Sequence, residues 1–165
     1  MADVSLICGK ICCGKSTFSR KLANEKNAVI LSCDEIMTLF PQPEGDAAYA
    51  AVSGKVKACL LNKAAEICAC GASVILDWGF WGKAERQETA AFFARLGVPA
   101  QWYYLDVPEA IWRQRIAHRN AAPGASDYFV DEGLLQKCVR LFEAPDAEET
   151  RDWIIVRSGG KADAI

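Results

Sequence analysis

The chain has 165 residues, a length typical of one domain with a single hydrophobic core. Hydrophobic residues make up 52% of it and charged residues 24%, which excludes an intrinsically disordered chain. The formal net charge of −2 argues against a protein whose main task is to bind a polyanion, although it permits a local basic pocket for one nucleotide.

Cysteine usage and the start of the sequence indicate the compartment. The eight cysteines form no CxxC pair, and the single histidine, His118, completes no common zinc pattern. The first residues contain no basic region followed by an apolar run, and no apolar stretch is long enough to span a bilayer. We therefore expect a cytoplasmic protein without zinc, disulfides or a membrane partner.

The first half of the chain alternates short apolar runs with amphipathic stretches. In chain order this pattern predicts a strand, a helix, a second strand and two helices, which are Val4–Cys8, Ser16–Lys26, Ala28–Ser32, Glu35–Phe40 and Ala47–Cys70. Pro41 follows the short helix and Gly71 follows the long one, and both residue types are common where helices end.

The second half continues the alternation and predicts a strand, a helix, a strand, two helices and a last strand. These are Ser73–Asp77, Lys83–Leu96, Gln101–Val107, Pro108–Arg119, a helix from Leu134 to Phe142, and Trp153–Val156. Residues 121–126 are small and include proline and glycine, which predicts a mobile segment. The whole pattern predicts one α/β domain over residues 1–165, with a mainly parallel five-stranded sheet between two helical layers.

A phosphate-binding pattern, GxxxxGK[ST], lies between the first strand and the first helix. Its residues are Gly9, Lys10, Ile11, Cys12, Cys13, Gly14, Lys15 and Ser16, and Thr17 follows directly. In this phosphate loop (residues 9–16) the backbone amides and the helix dipole bind phosphate oxygens. Lys15 would contact the β- and γ-phosphates and Ser16 would ligate Mg²⁺. The sequence therefore predicts a nucleoside triphosphate site.

The rest of the chain narrows the class of nucleotide-binding protein. A GTPase usually carries an NKxD string, which is absent, and the chain is too short for the second domain of a ring-forming ATPase. These features favour a small kinase that uses ATP and Mg²⁺. Cys12 and Cys13 lie near a helix N-terminus and Lys15, a setting that lowers thiol pKa, so oxidation could block nucleotide binding. We favour the simpler interpretation that both are small residues that fit the loop, with sensitivity to oxidation as the alternative.

Two acidic residues follow predicted strands at the edge where open α/β sheets bind ligands. Asp34 is placed to act as the general base on an acceptor hydroxyl, with the helix N-cap of Glu35–Phe40 as the alternative. Asp77 is predicted to hold Mg²⁺ through water.

Aromatic and basic residues suggest the acceptor pocket and a lid. Trp78, Phe80, Trp81 and Arg86 could line the pocket, or the aromatic residues could pack under a loop and Arg86 could lie on a solvated helix face. Arg115 and Arg119 share a helix face within a predicted lid around residues 113–127, where they could stabilise the transferred phosphate. A solvated basic face is the alternative.

Taken together, these motifs resemble the small AAA-labelled P-loop ATP-binding proteins often called predicted kinases. The likeness extends over nearly the whole chain. Its motifs are Gly9–Thr17, Cys33-Asp34, Leu76-Asp77-Trp78-Gly79-Phe80-Trp81, Arg86, Tyr104–Pro108, Arg115–Asn120 and Phe142-Glu143-Ala144-Pro145. The wider group includes the kinase domain of polynucleotide kinase, chloramphenicol phosphotransferase, zeta toxins and gluconate kinase.

The resemblance implies an adenylate-kinase-like sheet of strand order 2-3-1-4-5. It also implies that Lys15 and Ser16 act on phosphate and metal, Asp34 is the general base, and Arg115 or Arg119 is the lid arginine. Polynucleotide kinases place an arginine three residues after the base, where this chain has Met37. We therefore expect a kinase of a small hydroxylated molecule rather than of a nucleic acid. A polynucleotide 5′-hydroxyl kinase, and an ATP-binding regulator or slow ATPase without an acceptor, are the alternatives.

Overall fold

The computed structural model describes residues 1–41, 43–122 and 129–157. Over these residues the chain forms five strands, which are β1 (Val4–Cys8), β2 (Val29–Leu31), β3 (Val74–Gly79), β4 (Ala100–Asp106) and β5 (Ile154–Arg157). The same residues form six α-helices, which are α1 (Lys15–Lys26), α2 (Cys33–Met37), α3 (Asp46–Ala69), α4 (Lys83–Arg95), α5 (Glu109–Ala121) and α6 (Glu132–Leu141). A short 3₁₀ helix, Glu149–Asp152, precedes the last strand.

The strands form one sheet in the order β2-β3-β1-β4-β5, and every pairing is parallel. The α/β fold and the strand order 2-3-1-4-5 are therefore confirmed. The central strand β1 is fully buried because both of its faces are covered: Leu6 belongs to one core cluster and Ile7 to the other. Since all strands run the same way, their carboxyl ends meet at one edge of the sheet, where the phosphate loop begins.

Several element boundaries differ from the predicted ones by one or more residues, and two of these differences concern candidate site residues. Strand β3 continues past Asp77 to Gly79, so Asp77 lies inside the strand rather than at its end. Helix α2 begins at Cys33 because the Ser32 hydroxyl caps it, accepting a hydrogen bond of 3.3 Å from the Glu35 backbone N–H. Asp34 therefore lies in the first turn of α2, and the alternative that it is the N-cap is wrong.

The predicted lid is only partly described. Its first part belongs to α5, which continues to Ala121. Residues 123–127, which include most of the segment predicted to be mobile, lie outside the described residues. Across 1–41, 43–122 and 129–157, no helix combines the length and the apolar character that a bilayer span requires.

Candidate functional site

The phosphate loop leaves the carboxyl end of β1 and curls tightly. The Gly9 N–H donates a hydrogen bond of 3.0 Å to the carbonyl oxygen of Gly79 at the end of β3. A Cβ atom on Gly9 would lie 2.6 Å from the Cys13 sulfur, so the curl leaves no space for a side chain at this position. The curl ends at Gly14, which has a φ of 97° and directly precedes the first residue of α1.

The N-terminus of α1 has the features of an anion site. Gly14 supplies no side-chain cap, and the first turn of α1 contains no acidic residue. Each of the other described α-helices, α2 to α6, has at least one acidic residue in its first turn. The positive end of the α1 dipole is therefore not offset by a carboxylate of its own first turn, which favours a bound phosphate.

Lys15, Ser16 and Asp77 meet beside this helix end. Lys15 Nζ donates to the carbonyl oxygens of Lys10 at 2.7 Å and Gly9 at 3.3 Å, so its ammonium lies over the loop. Asp77 is buried, and desolvation raises the pKa of its carboxyl, while the Lys15 charge and the Ser16 hydroxyl oppose that rise. A hydroxyl next to a carboxylate is an oxygen donor set that suits Mg²⁺. The residues present therefore fit a triphosphate with a divalent cation.

Asp34 lies close to the same lysine. Desolvation raises the pKa of its carboxyl, and the charges of Lys15, Lys57 and Arg119 oppose the rise. The residue is nevertheless exposed to solvent. A small molecule can therefore reach this carboxylate, although the surrounding protein partly desolvates it. The Lys15 ammonium thus interacts electrostatically with two carboxyl groups of raised pKa, those of Asp34 and Asp77.

One face of α5 lies against the phosphate loop. Trp112 Nε1 donates to the Ile11 carbonyl oxygen at 2.5 Å, Arg115 Nη1 to the Cys13 carbonyl oxygen at 2.6 Å, and Arg119 Nη1 to the Cys12 sulfur at 3.0 Å. Positions 112, 115 and 119 follow the helical repeat, so they project from one side of α5. Both arginines singled out in the sequence therefore reach the loop.

The two loop cysteines have different environments. Cys13 is buried, and desolvation raises the pKa of its thiol above the usual value despite the nearby Lys15. For Cys13, the expectation of a lowered pKa is therefore wrong, because burial outweighs the lysine charge. Cys12 is partly exposed and has a φ of 56°, in the left-handed region.

The predicted acceptor pocket is largely closed. Trp78 and Phe80 are buried in a core cluster, and only Trp81 is partly exposed. The Arg86 side chain is 1% exposed and forms an ion pair with Glu149. A side chain this deeply buried does not line an open pocket, so Arg86, Trp78 and Phe80 are not assigned to acceptor contact. The packing alternative describes the positions of Trp78 and Phe80 better, whereas the alternative of a solvated helix face for Arg86 is wrong because its side chain is buried.

Two side chains near Asp34, those of Tyr49 and Lys57, belong to no sequence motif. Burial raises the pKa of the Tyr49 hydroxyl, and the charge of Asp34 raises it further, so the two side chains are neighbours. Lys57, whose charge also acts on Asp34, pairs with Glu85 at 2.7 Å. Tyr49 and Lys57 are two i+4 steps apart on α3, a spacing that gives no motif but places both on one helix face.

Comparison with known families agrees with this geometry. The model of a family described as an AAA domain matches residues 4–145, which include the phosphate loop, both carboxylates and both arginines. The chain belongs to this AAA domain family. Among proteins with curated descriptions, none has significant sequence similarity to it.

Solved structures with the same fold include several nucleotide-dependent proteins. A sugar kinase from Janibacter sp. HTCC2649 is 17% identical with a TM-score of 0.68, covering 95% of this chain and 86% of that one. The Mycobacterium tuberculosis APS kinase CysC, in complex with AMPPNP and APS, is 15% identical with a TM-score of 0.63, covering 99% and 90%. Kti12 from Chaetomium thermophilum, in complex with ADP-AlF3, is 14% identical with a TM-score of 0.69, covering 97% and 90%. At these identities the likeness shows that this AAA domain has a P-loop kinase-like fold.

Proposed function

We propose that the protein is an ATP-dependent phosphotransferase that moves the γ-phosphate of Mg-ATP to a hydroxyl group of a small molecule. The observation that carries this proposal is the position of Asp34, an exposed carboxylate next to Lys15 of the phosphate loop. A protein that only bound ATP would not need an accessible base there. Two of the structural relatives above are kinases, which supports the same reaction type.

Each site residue then has a defined role. Asp34 would accept the proton of the acceptor hydroxyl while the bond from that oxygen to the γ-phosphorus forms and the bond from the phosphorus to the β–γ bridging oxygen breaks. The products are a phosphate ester and ADP. Lys15, Arg115 and Arg119 would stabilise charge on the phosphate oxygens. Ser16 and Asp77 would hold Mg²⁺, which neutralises phosphate charge when bound.

The surroundings of Asp34 favour a small acceptor that is not itself an anion. Lys57 is the basic residue of α3 near Asp34, and Glu85 already pairs with it. Met37, which stands where polynucleotide kinases have an arginine, is buried in the core. These features support a neutral hydroxyl compound against the 5′-hydroxyl end of a nucleic acid, whose adjacent phosphate would need a cation at position 37.

Acceptor-stimulated ADP formation tests the proposal. Alcohols, sugars, nucleosides and oligonucleotides would be screened with Mg-ATP, and transfer of labelled γ-phosphate to the acceptor would be followed directly. We expect a neutral hydroxyl compound to stimulate ADP formation in the wild-type protein and not in Asp34→Asn. Rapid loss of ATP without any acceptor, undiminished in Asp34→Asn, would indicate an ATPase or regulator instead. Labelled oligonucleotide ends would indicate a polynucleotide kinase.

A further inference from the structure

Two features of the sequence, Arg86 and the segment 142–145, have no part in the proposed reaction, yet they meet in the structure. Arg86 Nε and Nη2 donate to the two carboxylate oxygens of Glu149 at 2.9 and 3.1 Å. Its Nη1, which carries two N–H groups, lies within hydrogen-bond distance of three backbone carbonyl oxygens, those of Phe80 at 3.0 Å, Trp81 at 3.2 Å and Glu143 at 3.0 Å, so one N–H is shared between two of them. A guanidinium has five N–H donors in one plane and can make all of these contacts together. An ammonium has only three donors and cannot.

Two of the three carbonyls that Arg86 binds, those of Phe80 and Trp81, belong to a sharp corner, residues 79–81, at the end of β3. Gly79 has a φ of 89° and Phe80 a φ of 48°, so two successive residues are in the left-handed region. This conformation is unfavourable for phenylalanine and persists only where the surrounding structure fixes it. Strand β3 also contains a bulge just before the corner. Ile7 of β1 pairs with Asp77 and Cys8 pairs with Gly79, so Trp78 has no partner in β1.

The corner in turn contacts the start of the phosphate loop. The Gly79 carbonyl oxygen accepts the 3.0 Å hydrogen bond from the Gly9 N–H, and a Cβ atom on Gly79 would lie 3.1 Å from the Gly9 oxygen. The Phe80 carbonyl oxygen, one of those bound by Arg86, also accepts a contact of 3.7 Å from the Cys8 thiol. Asp77 lies two residues before the corner on the same strand.

The segment after α6 closes the corner from the other side. The Glu143 N–H donates to the Trp81 carbonyl oxygen at 2.9 Å, and the Glu143 carboxylate accepts from the Lys83 N–H at 2.5 Å. Glu143 therefore bonds to the chain on both sides of Gly82. Glu143 and Glu149 thus attach the segment between α6 and β5 to the corner. The corner is in turn attached to the phosphate loop through Gly79.

We infer that Arg86 and Glu149 are positioning residues of the nucleotide site. They fix the corner 79–81, and the corner sets the position of Gly9 and the relation of Asp77 to Ser16. Neither side chain touches the substrate. The inference rests on the proposed nucleotide site but not on the existence of an acceptor.

The test compares Arg86→Lys with Lys83→Ala. The lysine at position 86 keeps the charge but cannot bind Glu149 and all three carbonyls together. The control removes an exposed ion pair of 2.6 Å between Lys83 and Asp146, which joins the same two segments without touching the corner carbonyls. Three quantities are measured: the melting temperature, the affinity for a non-hydrolysable ATP analogue with Mg²⁺, and hydrogen exchange of the Gly9 amide. Affinity and exchange are measured at a temperature where every variant is folded.

We expect Arg86→Lys to weaken analogue binding about tenfold and to accelerate Gly9 exchange, while the control matches the wild type. If Arg86→Lys melts earlier but binds the analogue and protects Gly9 as the control does, the pair is only structural and the inference is wrong. Should Arg86→Lys not fold, Glu149→Gln replaces it, because that change leaves the three carbonyl bonds of Arg86 in place. If the wild type binds no nucleotide, the proposed function fails. Gly9 exchange then still decides whether Arg86 and Glu149 fix the position of the loop.

Discussion

Arg119 Nη1 lies 3.0 Å from the Cys12 sulfur, so helix α5 and the phosphate loop are in direct contact at a partly exposed cysteine. Cys12 is partly exposed, whereas its neighbour Cys13 is buried and has a raised pKa. A thiolate reacts with oxidants much faster than a thiol does, and access limits the reaction further. The two loop cysteines should therefore differ in reactivity.

We predict that mild oxidation inactivates nucleotide binding through Cys12 and that added thiol restores it. Cys12→Ser should slow inactivation about tenfold, and Cys13→Ser should leave the rate unchanged. ATP should protect, because a bound triphosphate covers the loop. Loss of analogue binding over time measures the rate, and mass spectrometry identifies the modified peptide. Equal sensitivity of wild type and Cys12→Ser would place the reactive thiol elsewhere, for example at exposed Cys59 or Cys70.

Replacing Lys15 tests the nucleotide site itself. Lys15→Ala should weaken ATP binding about 10–100-fold, since a hydrogen bond to a charged phosphate contributes roughly 1.5–3 kcal/mol. Some stability should also be lost, because the change removes two hydrogen bonds within the loop and the attraction of the ammonium for Asp34 and Asp77, so affinity is measured at a temperature where every variant is folded. Lys21→Ala, an exposed lysine of the same helix, is the matched control for charge. Equal ATP affinities of the two variants would refute the assignment.

The raised pKa of Asp77 predicts a pH-dependent cost in stability. Below about pH 3.8, the usual value, the carboxyl is protonated in both folded and unfolded chains and costs nothing. As the pH rises, the unfolded carboxyl ionises first, and above the raised folded pKa the folded protein carries a desolvated charge. Asp77→Asn should therefore be more stable than wild type at pH 7, with the difference shrinking as the pH falls.

Urea unfolding of wild type and Asp77→Asn at several pH values measures this difference. Mg²⁺-dependent strengthening of nucleotide binding should be lost in the same variant, which ties the stability cost to a function. If Asp77→Asn is less stable at every pH, the attraction between Asp77 and Lys15 outweighs desolvation in the folded chain.

The fold and the loop could be predicted because their signals are local. Leu6 and Ile7 of β1 belong to a short apolar run followed by glycine, and the GxxxxGK[ST] pattern fixes the loop that follows. The pocket could not be predicted in the same way. Arg86 pairs with Glu149, a residue 63 positions away, and the orientation of Phe80 depends on the sign of its φ and on a bulge at Trp78. No spacing in the sequence contains that information.

The boundary at Asp34 shows a similar limit on a smaller scale. Ser32 and Asp34 are both favoured capping residues, and each stands before a helical run. Propensity does not choose between them. The choice follows from where β2 ends, at Leu31, which leaves Ser32 extended with its hydroxyl directed to the Glu35 N–H.

Because Ser32 rather than Asp34 caps α2, a change at Asp34 tests the chemical role of its carboxylate without removing the cap. Asp34→Asn keeps the size of the side chain and removes the base, so acceptor-dependent turnover should fall on the order of 10²–10⁴-fold. ATP affinity should hardly change, because Lys15, Ser16 and the loop amides bind the phosphates. Stability at neutral pH should not fall, since Asp34 does not cap α2 and its carboxylate is desolvated.

Ser32→Ala provides the opposite control. It removes the cap of α2 and should cost about 1 kcal/mol of stability while leaving turnover intact below the melting transition. Because the pKa of Asp34 is raised, wild-type turnover should also decline with falling pH at values above the usual 3.8 of an aspartate, and this limb should be absent from the residual activity of Asp34→Asn. Full phosphoryl transfer by folded Asp34→Asn would show that another group accepts the proton, and the proposed mechanism would be wrong at its central residue.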